Sequence, residues 1–494
     1  MKKGLSLLLA LILVFTSVNM GAFTVVAQEK AVYGEQNNVV YVEPDELMSE
    51  VPDVCSGTAD YEGATEAILT AFKNWETTIN LLTYGISVSE AKDFYRGILQ
   101  QNPHLFYVQN GYGYSYSGSK IYSITPVYNT AYTEADVIEY EAKVQAILKT
   151  IPSGLSDYEK ALALHDYIVT HCEYDGTYSN YDAYNVLVEG VAVCQGYTLA
   201  YADLLNRVGI ENKYVLSDAM NHAWNLVKID GEWYHVDATW DDPYSSKSPR
   251  LGYVGHNNFL RSDTGIVNAS TKTHHDWVVS ETSTSTKYDS YFWSGITSAI
   301  IYTDANTCYY MKKGNLYKRV DDTETLVSSS AADKWYVWGS TSSYYSGQSY
   351  LAMNNNILYY NSSNKVYAYD VRTGTETVHY VYQRGNGYIY GLAESTEMDV
   401  IYAEIKTDPN EGTVEIIQIT PMTPVVPAFQ YGDCNRDGSI GIADAVIMKQ
   451  HIAGMNVVID AEAADVNADN VVDIKDAVKL AKKLAGMDVE LGAA

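Results

Sequence analysis

The sequence predicts a multidomain chain: a mixed α+β core, then a repetitive β-rich domain, then a small all-α module at the C-terminal end. Three observations carry this. The 494 residues amount to about three domains at roughly 150 residues each, and 47% hydrophobic with 19% charged residues suit packed domains over disorder. Helical and strand patterns mix up to about residue 280, then give way to alternating runs rich in Tyr, Ser, Thr and Gly. Near the end, an acidic loop followed by an apolar helix occurs twice, the second copy beginning at Asp465 where the first begins at Asp433.

Residues 1–27 read as a signal peptide. Lys2 and Lys3 precede an uncharged run over 5–18, and small residues lead up to Val25-Val26-Ala27. The run is shorter than the ~20 residues a membrane span needs, so a secreted, extracellular chain without a membrane anchor is expected.

Residues 28–150 form an α+β region flanking the core, with a helix expected over 90–99 and short Tyr-dense strands over 104–128. The core itself spans 151–280. Asp157–His171 has apolar residues at helical spacing with Ser156 as N-cap. Cys194 precedes the helical run 198–208, which Gly209 stops. A thiol at a helix N-terminus feels the dipole and the unpaired amides, which stabilise a thiolate and can hold an oxyanion.

A hairpin follows. Residues 221–229 alternate, Asp230-Gly231 makes a two-residue turn, and 232–240 return. With Ile229 opposite Glu232, Trp224 faces Asp237 and His222 faces Thr239. His222 and Asp237 are then diagonal neighbours on one face, a carboxylate beside an imidazole. Cys194 as nucleophile, His222 as base and Asp237 as orienting carboxylate make a nucleophilic triad.

These stretches, GVAVCQGYTLAYADLLNRVGI, NHAWNLVKIDGEWYHVDATWDDP and HDYIVTHCEYD, resemble a transglutaminase-like domain of the bacterial secreted type. The resemblance implies a papain-like α+β fold, a catalytic Cys194–His222–Asp237 triad needing no cofactor, and a protein or peptide substrate. Tyr184 or Gln195 is then a candidate for the second oxyanion donor. Other histidines read otherwise: His274, His275 and Asp276 as a solvated loop, His165 and His171 with Cys172 as structural, and His235 as lining the cleft.

Residues 285–420 form the Tyr-rich repetitive β-domain, because YYMKKGNLYKRVDDTETLV (309–327) is echoed by YYNSSNKVYAYDVRTGTETV (359–378). Pro421, Pro424 and Pro427 mark 421–430 as an extended linker.

Residues 431–494 carry two twelve-residue EF-hand-like calcium loops. Oxygen donors recur at the spacing that wraps a hard cation: Asp433, Asn435, Asp437, the Ser439 carbonyl and Asp444, then Asp465, Asn467, Asp469, the Val471 carbonyl, Asp473 and Asp476. The segment resembles a type I dockerin. That implies two bound calcium ions and docking onto a cohesin module of a cellulosome scaffoldin. The resemblance places cohesin contacts at Ile442, Ala443, Ile474 and Lys475, with Lys449, Gln450, Ala481 and Lys482 adding to them.

Lys+Arg number 33 and Asp+Glu 61, a net charge of −28, which disfavours nucleic acid and anionic lipid as partners. Five scattered cysteines, an odd number, indicate no disulfide scaffold. The reading is a cellulosome-bound cysteine acyl-transfer enzyme that cleaves or transfers amides. The alternatives are a non-catalytic adaptor and a glycan-active component in polysaccharide catabolism.

Overall fold

The helix Asp157–His171 starts where the sequence places it, because Ser156 and Glu159 bond reciprocally: the Glu159 carboxylate accepts the Ser156 N–H at 2.8 Å and its hydroxyl at 2.6 Å. The computed structural model describes residues 40–41, 59–242, 251–269, 273–383, 385–395, 398–422, 430–455, 457–469, 471–487 and 489–492. The expected signal peptide, 1–27, and residues 423–429 of the expected linker lie outside the described residues.

Ahead of that helix come Tyr61–Lys73, Ala91–Gln101 and Glu134–Lys149, with an antiparallel pair of strands, Val108–Ser117 and Lys120–Tyr128. The expectation of short strands over 104–128 is corrected: they run to 10 and 9 residues, turning tightly at Gly118 with φ +64°.

The helix Cys194–Arg207 packs between the Asp157–His171 helix, where the Tyr201 hydroxyl donates to the Ala161 carbonyl at 2.9 Å, and an antiparallel sheet. The sheet orders Asn212–Ser217, His222–Ile229 and Glu232–Val236. Its hairpin register is the expected one, Ile229 opposite Glu232 and Asn225 opposite Val236. Asp230 and Gly231 both take positive φ, +54° and +86°, as a type I′ turn requires.

One detail differs. The returning strand ends at Val236, because the Asp237 carboxylate accepts the Trp240 N–H at 3.1 Å and caps a short helix, Ala238–Asp241. His222 consequently has no cross-strand partner at Thr239; its partner is Ser217, on the strand at its other side.

The region after residue 285 is rich in strands. Ile301–Tyr302, Thr307–Lys312, Asn315–Val320 and Thr323–Ser328 form a meander. Four more strands follow over 351–381, and Tyr388–Ser395, Val400–Lys406 and Glu415–Ile419 form a three-stranded sheet. The 309–327 echo at 359–378 thus marks a recurrent run of strands.

The chain divides into two compact units, one reaching to Ala352 with 360–366 and 381–419, the other holding 353–359, 367–380 and 420 onward. In the second, helices Ile442–Ile452 and Ile474–Leu484 bury Ala445 and Met448 with Ala477 and Leu480 in one small core. Among the described residues, no helix is long and apolar enough to cross a membrane.

Candidate active site

Cys194 is the first residue of its helix, half-buried, and the cap residue before it, Val193, has no polar side chain to bond the first-turn amides. The helix starts close against strand Val191–Ala192. A Cβ on Gly196 would stand 2.7 Å from that of Ala192, so only glycine allows the approach. The loop before it is tied down: the Asp175 carboxylate accepts the N–H groups of Thr177, Ser179 and Asn180, and the Asn180 carbonyl accepts the Val193 N–H at 2.9 Å.

The strand His222–Ile229 brings the imidazole to the same place. Asn225 Nδ2 donates to the Thr198 carbonyl at 3.1 Å, fixing strand to helix. His222 Nε2 lies 2.7 Å from Asp237 Oδ2, and Cys194 is near enough to the ring to act on its electrostatics. Burial works to lower the pKa of His222, but the Asp237 carboxylate and Cys194 outweigh it and push it up to about 10. Burial likewise opposes ionisation of Asp237, and His222 with His274 outweighs it, holding the carboxyl well below the usual range. The three residues read from the sequence are therefore brought together.

The structure adds two that sequence reasoning missed. Trp240 stacks on His222 at 4.9 Å and 18°. His274 is fully buried, its Nε2 2.8 Å from the same Asp237 Oδ2. The expectation of a solvated 274–276 loop is corrected for His274, while His275 and Asp276 are indeed exposed. The loop is pinned to the sheet edge, the Ser217 hydroxyl donating to the His275 carbonyl at 2.8 Å and the Val278 N–H to the Leu216 carbonyl at 2.8 Å. A carboxylate partner 37 positions away in an irregular segment leaves no periodic trace in the sequence.

Two further expectations fail. His235 does not line a cleft: it is fully buried, accepting the Trp224 indole N–H at 2.9 Å and facing Asp263 at 2.9 Å, with burial pressing its pKa down against the pull of Asp263. Tyr184 cannot serve an oxyanion at Cys194, since its hydroxyl is committed to Glu139 at 3.1 Å. Gln195, second residue of the Cys194 helix, is half-buried.

His165 and Cys172 are buried, as a structural role requires. His165 and His256 share Asp166 Oδ1 at 2.9 and 3.0 Å, and His165 Nε2 stands 3.2 Å from Asp241. Burial lowers the pKa of His165, but bonds to Asp166 and Asp241 raise it to about 9. Cys172, Cys194, Cys308 and Cys434 are free thiols, and Cys55 lies outside the described residues.

In the C-terminal unit the two loops share a set of carboxylate–amide bonds. Asp433 Oδ1 accepts the Asp437 N–H at 3.0 Å, as Asp465 Oδ1 accepts that of Asp469 at 3.0 Å. Asp444 accepts the amides of Asn435 and Gly441 at 3.2 and 2.8 Å, as Asp476 accepts those of Asn467 and Asp473 at 3.1 and 2.9 Å. Ser439 and Val471 donate their N–H groups to Asp437 and Asp469. Asp444 and Asp476 are fully buried, and burial raises the pKa of Asp444 against its amide donors.

Among the described residues, three groups bring ligand-type atoms within 4.8 Å of one another: His165, Asp166 and His256; His222, Asp237 and His274; and Asp465, Asp469 and Asp476. In the first two, imidazole N–H groups answer the carboxylate. The third is all carboxylate, an oxygen set that suits a hard cation. Ile442 and Ile474 are exposed at 77% and 62%, and Ala443, Lys449, Lys475, Ala481 and Lys482 are exposed too, with Gln450 half-buried. Val446 and Val478, not singled out from the sequence, are exposed apolar residues on the same two helices.

Residues 145–238 match the family model of the transglutaminase-like superfamily, and residues 431–485 match that of the type I dockerin domain. Among solved structures the chain is similar to one described as a TGase, at 20% identity and a TM-score of 0.19, covering 25% of this chain and 42% of that one. It is similar also to a candidate cysteine protease from Cytophaga hutchinsonii, at 18% identity and a TM-score of 0.18, covering 26% and 56%. The chain thus spans less than two thirds of either. No curated protein matches it. It carries a transglutaminase-like domain and a type I dockerin, together with a β-rich region of several sheets.

Proposed function

We propose that the chain is an extracellular cysteine acyl-transfer enzyme, held in a cellulosome-type complex through its dockerin. The observation that carries this reading is the 2.7 Å contact of His222 with Asp237 beside the Cys194 thiol at a helix N-terminus. Cys194 Sγ attacks the carbonyl carbon of a peptide or side-chain amide. The first-turn amides receive the developing oxyanion. His222, held by Asp237, gives its proton to the departing nitrogen as the C–N bond breaks, leaving a thioester. Water or a second amine, deprotonated by His222, then attacks the thioester and releases Cys194. Water makes a peptidase or amidase, an amine a transamidase.

Type I dockerin domains bind calcium and imply a cohesin partner. In this chain Asp433, Asn435, Asp437, Asp444 and the Ser439 carbonyl would hold one calcium, and Asp465, Asn467, Asp469, Asp473, Asp476 and the Val471 carbonyl a second. The buried, amide-bonded carboxylates fit that ion. Each calcium would add positive charge to loops whose own cations are Arg436, paired with Asp460, and Lys475, paired with Asp469 and Asp473. Cohesin would then meet the exposed surface around Ile442, Ala443, Ile474 and Lys475.

The test is incubation of the purified protein with a peptide library and a labelled primary amine. Cleaved peptides or amine incorporation, both lost in Cys194→Ala, are expected. Absence of both, or persistence of either in the variant, contradicts the reading.

A further inference from the structure

We propose that His274 is a positioning residue for the Cys194 chemistry, its Nε2–H locking the same carboxylate oxygen that orients His222. This rests on the reading of Cys194 as nucleophile.

The Asp237 side chain has 0% exposure and three donors. Oδ1 takes the Trp240 N–H at 3.1 Å, while Oδ2 takes both imidazoles, His222 at 2.7 Å and His274 at 2.8 Å. A carboxylate bonded at both oxygens cannot rotate without breaking a charge-assisted bond. His274 itself uses one nitrogen. Its Nδ1 is buried with no hydrogen-bond partner, so the polar return of the ring is the Nε2 bond to Asp237. An orphaned buried nitrogen costs about 1–3 kcal/mol, a cost that phenylalanine would avoid if the site needed only an aromatic ring.

The ring is also held in place. Trp240 packs 4.1 Å from it and Trp224 4.8 Å, edge to face. Both histidines hang from one rung of the sheet: Ser217 pairs with His222, and its hydroxyl holds the carbonyl of His275. Asp237 is thus clamped from two sides. His222 is left with Nδ1 as the nitrogen available to Cys194.

Two variants separate positioning from packing. His274→Phe keeps a ring and removes the donor; His274→Gln keeps an N–H donor and removes the ring. The readout is the rate constant for iodoacetamide alkylation of Cys194 at pH 6, by mass spectrometry on the calcium-loaded full chain, with melting temperature alongside. Loss of one charge-assisted bond should slow His274→Phe about tenfold, and His274→Gln should recover most of the rate. In an Asp237→Asn background the His274→Phe effect should vanish, since the carboxylate it acts through is gone. That arm compares two destabilised chains with each other, so it holds even where His274→Phe melts early. Phenylalanine at wild-type rate with glutamine slow, or additive effects with Asp237→Asn, would overturn the proposal. Failure of the underlying reading looks different: Cys194 in the unaltered chain would then react no faster than in His222→Ala.

Discussion

Asp237 in the transglutaminase-like domain and Asp444 and Asp476 in the dockerin are all carboxylates with at most 1% exposure, yet their charges are answered differently. Asp237 has two imidazoles within 2.8 Å, delivered by a strand and a loop of the same domain. Asp444 and Asp476 have backbone amides and other aspartates around them. One site carries its counter-charge in side chains bonded to the carboxylate; for Asp444 and Asp476 the proposed counter-charge is a bound calcium. The first is therefore set by protonation and the second by ion supply, so the two should fail under different insults.

Calcium removal is the largest expected effect. Excess chelator should abolish most dockerin helix formation and cohesin capture, since the module is short and its carboxylates repel without the ion. The transglutaminase-like domain should melt unchanged. Alanine at both Asp433 and Asp465 should reproduce the loss. Calorimetry and circular dichroism with and without EDTA check this; a dockerin equally helical in both would erase the contrast.

On the other side of the contrast, His222→Ala should cost about 10³-fold in turnover and leave calcium binding intact by titration calorimetry. Asp237→Asn should cost less, because in the proposed mechanism Asp237 orients the ring and takes no proton. Both should also lower the melting temperature. His222 is only 7% exposed, and removing one member of a buried pair strands the other.

The smaller effect is in pH. The pKa of His222 in the folded chain is raised to about 10 from an ordinary 6.5, so its stabilisation is complete below about pH 6.5 and lost as pH climbs through 10. Asp237 runs the other way, its contribution present above the ordinary carboxylate range and lost in strong acid. The melting temperature of the domain should therefore fall between pH 7 and 10, by about 5 °C, and the fall should flatten in His222→Gln. A slope unchanged by that variant would separate the ion pair from stability.

What could be read ahead of the structure was whatever repeats locally. The loop spacing from Asp433 to Asp476, the Ser156 cap and the Asp230-Gly231 turn each set their own neighbours, and the turn set the strand register that brought His222 towards Asp237. The strand end escaped, because an aspartate can pair in a sheet or cap a helix, and here the Trp240 amide decides for the cap. His274 and His235 escaped because burial of a histidine depends on partners distant in the chain, Asp237 and Asp263. His274 lies in a loop that reads as polar surface, and only its ties to Ser217 and Leu216 turn it inward.

Of the described thiols, Cys194 is the one the proposed chemistry requires to react. Cys172, Cys308 and Cys434 are buried, and burial pushes all three up, the latter two to about 12. Cys194 is half-buried, at a helix N-terminus beside His222. Brief treatment of the native chain with iodoacetamide at pH 6, followed by peptide mass spectrometry, compares them directly. Cys194 should be modified first, and His222→Ala should abolish the preference. Labelling of Cys194 no faster than of Cys172, Cys308 or Cys434 would contradict it.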